Sequence, residues 1–240
     1  MSSALILIGN GPYIVAREAQ YRSGPLVRAI SPDGLVGVGC AAGWSASGRL
    51  SAKGTGVQAV RTLVHEIRNT IRCLSGRNEH ATQVLSILDR MDLSAENQHD
   101  WVANEPPHDR DLRYAIDEMP ESLSGLTDAL QDALPQLKWR VDQGRYYPPS
   151  ADVGDGYRNG NMHCELIGPR GSAFHHDDFT LGFFLLTPRV LYRDHAHQAP
   201  ELYLTLSEPS GWRFDGGEWR DVPSGMIIWN TPQTSHATRV

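Results

Sequence analysis

A histidine pair followed by an acidic residue and a tyrosine constrains this chain more than any other feature. The pattern is His195-x-His197, then three residues, Glu201 and, two positions on, Tyr203. Side chains alternate along a strand, so these four positions share one parity and can all point into the same interior. A later histidine, His236, completes a set of three imidazoles and one carboxylate, which suits a divalent transition metal. The alternative is that the pair lies on a strand surface or in a core without any metal.

The sequence around this pattern predicts short antiparallel strands. Residues 181–186 form an apolar run that a Thr-Pro pair ends, and residues 202–206 alternate as a strand does. Residues 212–220 predict a hairpin, because Asp-Gly and Gly-Gly pairs supply the positive φ angles of its turn. A further strand is predicted over residues 226–229. Strands of this length and spacing predict an antiparallel barrel or sandwich.

These residues resemble the two motifs of the cupin superfamily and, within it, the dimethylsulfoniopropionate (DMSP) lyases. The shared features are the pattern from His195 to Tyr203, the preceding Tyr192, a Gly-rich hairpin, and a Pro-Ser-Gly turn with His236 eleven residues after its glycine. The resemblance covers residues 157–240. It implies an α+β fold, in which an N-terminal helical region precedes a C-terminal cupin barrel, also called a double-stranded β-helix or jelly roll.

The resemblance also implies a reaction, the β-elimination that splits DMSP into acrylate, dimethyl sulfide and a proton. The expected metal ligands are His195, His197, Glu201 and His236, and the metal would act as a Lewis acid on the substrate carboxylate. Tyr203 is the expected base, because a nearby divalent cation favours the phenolate and lowers a pKa that is ordinarily about 10. Zinc, iron, manganese, cobalt and nickel all accept these ligands.

Aromatic residues complete the expected site. Tyr192 has the opposite parity to His195, so a bend at Arg193-Asp194 must turn it toward the pocket. There it would support catalysis by donating a hydrogen bond to the substrate or by sharing the role of base. The sulfonium group is a soft cation of the kind that aromatic faces attract. Each aromatic side chain could instead be ordinary core packing. The expected lining of the sulfonium end is Trp212, Trp229 and Phe184, with Tyr192 beside them.

The chain before the barrel is expected to contain an extension and a helical region. Residues 1–56 are rich in Gly, Ser and Ala, which predicts a flexible or only partly folded extension. Residues 57–150 carry four apolar stripes at helical spacing, which need a partner surface in the barrel or in a homodimer. The barrel is assigned to residues 151–240. The four helices are predicted near residues 57–75, 82–93, 109–119 and 123–134.

The barrel predicted in this way is short of strands after its last ligand. A complete jelly roll has one or two more strands at that point, whereas only four residues follow His236. Either residues 5–38 supply these strands, or the barrel is truncated and open at one edge.

Composition excludes several classes of function. The net charge of −6 argues against a nucleic-acid partner, because a phosphate-binding surface is basic. Three cysteines without a CxxC spacing favour a reducing cytoplasm. No segment approaches the roughly twenty apolar residues that span a bilayer. The expected partner is therefore a small-molecule substrate in the cytoplasm.

Two other classes of protein could use the same four ligands. One is an iron-dependent cupin oxygenase, and the other is a non-catalytic cupin that binds a small ligand and presents its helices to a partner. Neither has any need of Tyr203. Replacing Tyr203 by Phe should therefore abolish turnover with metal retained in a lyase and change little in the other two.

Overall fold

Helices and two β-sheets make up the part of the chain that the structure describes, which confirms the α+β class. The computed structural model describes residues 4–10, 56–75, 78–144, 147–154, 156–207 and 209–240.

Four α-helices lie close to the four apolar stripes of the sequence. They are α1 (Gly56–Ser75), α2 (Glu79–Leu88), α3 (Asp109–Asp117) and α4 (Ser124–Ala133), with short 3-10 turns at Glu121–Leu123 and Leu134–Gln136. No helix in the described ranges is both long and apolar enough to cross a bilayer.

The boundaries of α2 differ from the predicted 82–93. The helix begins earlier because the side chain of Asn78 caps it, accepting hydrogen bonds from the backbone N–H groups of His80 and Ala81, each at 3.0 Å. The helix ends at Leu88. Leu93, which the prediction placed at the end of this helix, lies beyond it, and its backbone carbonyl accepts a hydrogen bond from Arg61 Nε at 2.8 Å.

Ten strands form two sheets in the described ranges. The strands are β1 (Ala4–Asn10), β2 (Asn161–Gly168), β3 (Phe174–His175), β4 (Thr180–Leu186), β5 (Leu191–His195), β6 (Glu201–Thr205), β7 (Ser210–Phe214), β8 (Arg220–Val222), β9 (Ile227–Asn230) and β10 (His236–Arg239). One sheet has six strands in the order β3-β2-β4-β1-β6-β9, and the other has four in the order β5-β10-β7-β8.

The alternation of side chains along the six-stranded sheet produces three layers. Leu202 and Leu204 of β6 join the apolar core that contains the helices, whereas Tyr203 between them joins a second core. That second core also holds Phe184 of β4 and Trp212 of β7, so it lies between the two sheets. The helices therefore cover one face of the large sheet, and the small sheet covers the other.

Strand β1 comes from the part of the chain that was expected to be an extension. It lies between β4 and β6, with Gly9 paired to Leu181 and Leu202. The early segment thus supplies a strand, the first of the two alternatives, whereas residues 11–55 lie outside the described residues. No pairing between the described strands joins the two sheets, so a closed cupin barrel stays a prediction, as do the domain boundaries after residues 56 and 150.

Candidate active site

Three histidines meet where β5 ends and β10 begins. His195 is the last residue of β5, His236 is the first of β10, and the two are cross-strand partners. His197 reaches them from the loop that follows β5. The ring of His236 lies 4.2 Å from that of His195 and 5.0 Å from that of His197, between centroids. One nitrogen from each of the three rings lies within 4.8 Å of the others, so this cluster could hold a metal ion.

Hydrogen bonds to the backbone fix which nitrogen of each histidine is free. Nδ1 of His195 lies 2.8 Å from Arg193 O, that of His197 lies 2.8 Å from Ala199 O, and that of His236 lies 2.9 Å from Thr234 O. A carbonyl oxygen only accepts, so each Nδ1 carries the proton and each Nε2 keeps its lone pair in the neutral ring. This arrangement is typical of metal-ligating histidines.

Two of these lone pairs are buried without a hydrogen-bond partner. The Nε2 atoms of His197 and His236 are both in this position. Buried polar atoms are rarely left unsatisfied in folded proteins. The cluster therefore fits a divalent transition metal, which would satisfy both atoms.

Glu201, the first residue of β6, supplies the carboxylate of the cluster. Its Oε2 lies 2.9 Å from His197 Nε2 and 3.5 Å from His236 Nε2, and it accepts hydrogen bonds from Tyr203 Oη at 2.7 Å and Asn230 Nδ2 at 3.3 Å. Burial opposes ionisation of this carboxyl, but its contacts with His197 and His236 lower its pKa overall. Glu201 is thus a buried anion that faces the free nitrogens.

The pKa values of His195 and His197 are shifted in opposite directions. Burial, followed by the proximity of His236, lowers the pKa of His195 to about 4. The proximity of the Glu201 carboxylate raises the pKa of His197. At neutral pH His195 is therefore an uncharged imidazole, the form in which a histidine binds metal.

A β-bulge brings Tyr192 to the same side as His195. Between the same two cross-strand pairs, β10 has three residues, from His236 to Thr238, whereas β5 has four, from Tyr192 to His195. The ring of Tyr192 consequently stacks on that of His195, with centroids 3.8 Å apart and planes 19° apart. The bend predicted at Arg193-Asp194 is confirmed by this register shift.

The two predicted catalytic tyrosines are both buried. Tyr203 is 5% exposed and Tyr192 is 8% exposed. Burial, followed by the charge of Glu201, raises the pKa of Tyr203 well above 10.0. Burial also raises the pKa of Tyr192, and neighbouring tyrosines add to the effect. Both hydroxyls are therefore protonated at neutral pH in this structure.

A cavity of about 520 Å³ opens beside the cluster. It is large enough for a small organic acid. Its lining includes the metal-ligating candidates His195, His197 and Glu201, the aromatic residues Tyr147, Tyr157, Phe184, Tyr192 and Tyr203, and the polar residues Asp142, His163 and Glu165.

Of the three residues predicted to line the sulfonium end, only Phe184 lines this cavity. Trp212 packs against Tyr203, with centroids 5.0 Å apart, and its Nε1 donates to Ser210 Oγ at 2.8 Å. Trp229 stacks on His80 of α2, with centroids 4.1 Å apart. Its cross-strand partner is Leu202, which faces the helices, so Trp229 lies on the opposite side of the large sheet.

Several cavity residues were not predicted from the sequence, among them Asp142, Tyr147 and Tyr157. They precede β2, in a stretch of the sequence to which no site residue was assigned. Tyr157 stacks on the free face of Tyr192, with centroids 3.8 Å apart and planes 13° apart. The aromatic pair at 146–147 and the tyrosine in the Gly-rich stretch were visible in the sequence, but no strand periodicity placed them near the motifs.

Comparison with known families matches residues 79–240 to the dimethylsulfoniopropionate lyase family. The chain belongs to the DMSP lyase family. It is accordingly a lyase, and the resemblance inferred from the motifs is confirmed. No curated protein sequence matches the chain.

Two solved structures of DMSP lyases have a similar fold. One, from the crystal structures of the DMSP lyases RdDddP and RnDddQII, is 20% identical, with a TM-score of 0.53 over 78% of this chain and 88% of that one. The other is the DMSP lyase DddQ from Ruegeria pomeroyi DSS-3, which is 18% identical, with a TM-score of 0.56 over 76% of this chain and 85% of that one. At these identities the likeness shows the fold alone.

Proposed function

We propose that this lyase cleaves DMSP by β-elimination, giving acrylate, dimethyl sulfide and a proton. The observation that carries the proposal is the convergence of three imidazoles, the carboxylate of Glu201 and the phenol of Tyr203 beside one cavity. Family membership supports the same reaction. Neither the oxygenase nor the non-catalytic cupin gains support from an observation of its own.

The proposed metal ligands are His195, His197, Glu201 and His236. The tautomers fixed by the backbone and the buried Nε2 atoms support this assignment. When bound, a divalent metal supplies a Lewis acid for the substrate carboxylate. Zinc, iron, manganese, cobalt and nickel all suit two or three imidazoles with one carboxylate.

Tyr203 is the proposed base. In the elimination its phenolate takes the proton from the carbon next to the carboxylate, the C–H electrons form the C=C bond, and the C–S bond breaks to release neutral dimethyl sulfide. Burial and Glu201 both oppose ionisation of this phenol. Tyr203 therefore needs positive charge at the histidine cluster before it can lose its proton.

Tyr192 is proposed to support the site rather than to bind the sulfonium with its ring face. Tyr157 covers one face of its ring and His195 covers the other. Its hydroxyl contacts that of Tyr147. Tyr192 therefore holds the ring of His195 in place and offers a hydroxyl to the cavity wall.

Headspace detection of dimethyl sulfide tests this function directly. Metal-loaded protein given DMSP should release dimethyl sulfide and acrylate in equal amounts, with or without dioxygen. A chelator should stop the reaction, and added metal should restore it. Absence of dimethyl sulfide from metal-loaded protein would refute the proposal, and a requirement for dioxygen would favour the oxygenase. The homodimer and the cytoplasmic location stay predictions.

A further inference from the structure

A buried amide lies beside the proposed ligand Glu201, on the neighbouring strand. Asn230 is 0% exposed and is the last residue of β9. It is the cross-strand partner of Glu201, the first residue of β6. The side chains of such a pair lie on one face of the sheet, with Cβ atoms about 4.5–5.5 Å apart. The pairing of the two strands therefore sets this amide next to the carboxylate, and its Nδ2 donates to Glu201 Oε2 at 3.3 Å.

The orientation of the amide leaves its other end without a partner. Nδ2 faces Glu201 because the reverse orientation would set Oδ1, which only accepts, against a carboxylate that also only accepts. Oδ1 of Asn230 is then buried, and no residue that the structure describes donates to it. An unsatisfied buried acceptor lowers stability, and an apolar side chain would avoid that cost. The contact with Glu201 therefore explains an asparagine here better than the stability of the sheet does.

Glu201 Oε2 accepts hydrogen bonds from two of the described side chains, Tyr203 and Asn230. The Nε2 atoms of His197 and His236 also face it, but they carry no proton in the neutral rings. Tyr203 is the proposed base, and its hydroxyl has to give up this hydrogen bond in the proton transfer. Asn230 exchanges no proton, so its hydrogen bond to the carboxylate persists through that step.

We propose that Asn230 is a positioning residue, which holds the carboxylate of Glu201 toward the histidine nitrogens independently of the Tyr203 hydroxyl. This inference rests on the proposed function, in which Glu201 is a metal ligand. Asn230 does not line the cavity, so it acts through Glu201 and not on the substrate. Loss of the amide should weaken metal binding, which is the usual result of removing a hydrogen-bond partner of a metal ligand.

Asn230→Val tests the proposal, because valine lacks the amide and is well suited to a strand. In competition with a chelator, its affinity for zinc should fall by about 10- to 100-fold. The denaturation midpoint of the metal-free protein should change little, because the lost hydrogen bond and the removed unsatisfied acceptor offset each other. Asn230→Ala, which cannot crowd the core, should show the same loss of zinc affinity and decides where Asn230→Val does not fold.

Thr238→Val is the matched control on β10. Thr238 is 3% exposed, its hydroxyl is likewise buried with no hydrogen-bond partner among the described residues, and it does not line the cavity. This variant should keep the zinc affinity of the wild type. Tyr203→Phe should keep bound zinc as well, because Asn230 still holds Glu201. Combining Tyr203→Phe with Asn230→Val should weaken zinc binding by more than the product of the two single effects, because both described donors to Oε2 are then lost.

Three results would overturn the inference. They are an unchanged zinc affinity in the Asn230 variants, an equal loss in Thr238→Val, and a combined effect no larger than the product of the single ones. The proposed function fails separately, when metal-loaded wild type releases no dimethyl sulfide from DMSP. Weaker zinc binding by Asn230→Val would support the positioning role in that case too, because this measurement does not depend on turnover.

Discussion

Replacing Tyr203 by Phe separates the chemical role of its hydroxyl from its structural role. The hydroxyl donates to Glu201 Oε2 at 2.7 Å, and the side chain is 5% exposed. A hydrogen bond to a charged group contributes about 1.5–3 kcal/mol, so Tyr203→Phe should lower the free energy of unfolding by about that amount. If Tyr203 is the base, kcat should fall by a factor on the order of 10²–10⁴. Bound metal should remain, because all four proposed ligands are intact.

Thr205→Val provides the matched control on the same strand. The hydroxyl of Thr205 is buried, donates to Pro223 O at 2.7 Å and lies outside the residues that line the cavity. The variant should lose about 1–3 kcal/mol of stability and keep its turnover. Chemical denaturation, metal analysis and the rate of dimethyl sulfide release would be measured for both variants. A Tyr203→Phe enzyme that turns over like Thr205→Val at equal metal content would refute the assignment of Tyr203 as the base.

Four further predictions concern the ligands, the far side of the sheet and the thiols. His236→Ala should lower metal affinity by more than the ~10- to 100-fold that loss of an outer-sphere partner costs, as measured by competition with a chelator. Trp229→Ala should cost about 1–3 kcal/mol of stability in denaturation while leaving KM for DMSP unchanged, because this ring stacks on a helix outside the cavity. Burial raises the pKa of Cys164 to about 12, so at neutral pH an alkylating agent should label exposed Cys73 and spare Cys164, as mass spectrometry can show. The pKa of His195 is lowered to about 4 from 6.5, so the unfolded chain binds the proton first as the pH falls. Between about pH 6.5 and 4 the metal-free protein should therefore lose more stability in denaturation than the metal-free His195→Asn variant does, and an equal loss in both would contradict this lowered pKa.

The parity of residues within a single strand allowed much of the site to be predicted from sequence. Glu201 and Tyr203 do face the same side of β6, and the hydroxyl of one bonds to the carboxylate of the other. The opposite parity of Tyr192 and His195 correctly indicated an irregularity, because a strand that must present both residues to one side needs an extra residue. His197 lies in the loop after β5, so parity is not what brings it to the cluster.

Pairing between distant strands could not be deduced from such local patterns. The side of the sheet that Trp229 faces depends on its pairing with Leu202, and the alternation within β9 alone does not reveal which side is the interior. Strand β1 pairs Ile8 with Tyr203 across nearly the whole sequence, although the composition of residues 1–56 predicted a loose extension. Tyr157 lies in a turn, and side chains in a turn follow no regular spacing from which its stacking on Tyr192 could have been deduced.

The distribution of the proposed ligands between the two sheets links catalysis to the packing of the sheets. His195 and His236 belong to the four-stranded sheet, whereas Glu201 and Tyr203 belong to the six-stranded sheet. A displacement of one sheet relative to the other would separate two imidazoles from the carboxylate and from the proposed base together. Ligands drawn from both sheets also mean that metal binding favours the packed arrangement over an opened one, since an ion that binds only the assembled site stabilises that state by mass action. The buried core between the sheets, including Phe184 and Trp212, therefore positions the reacting groups as well as stabilising the fold.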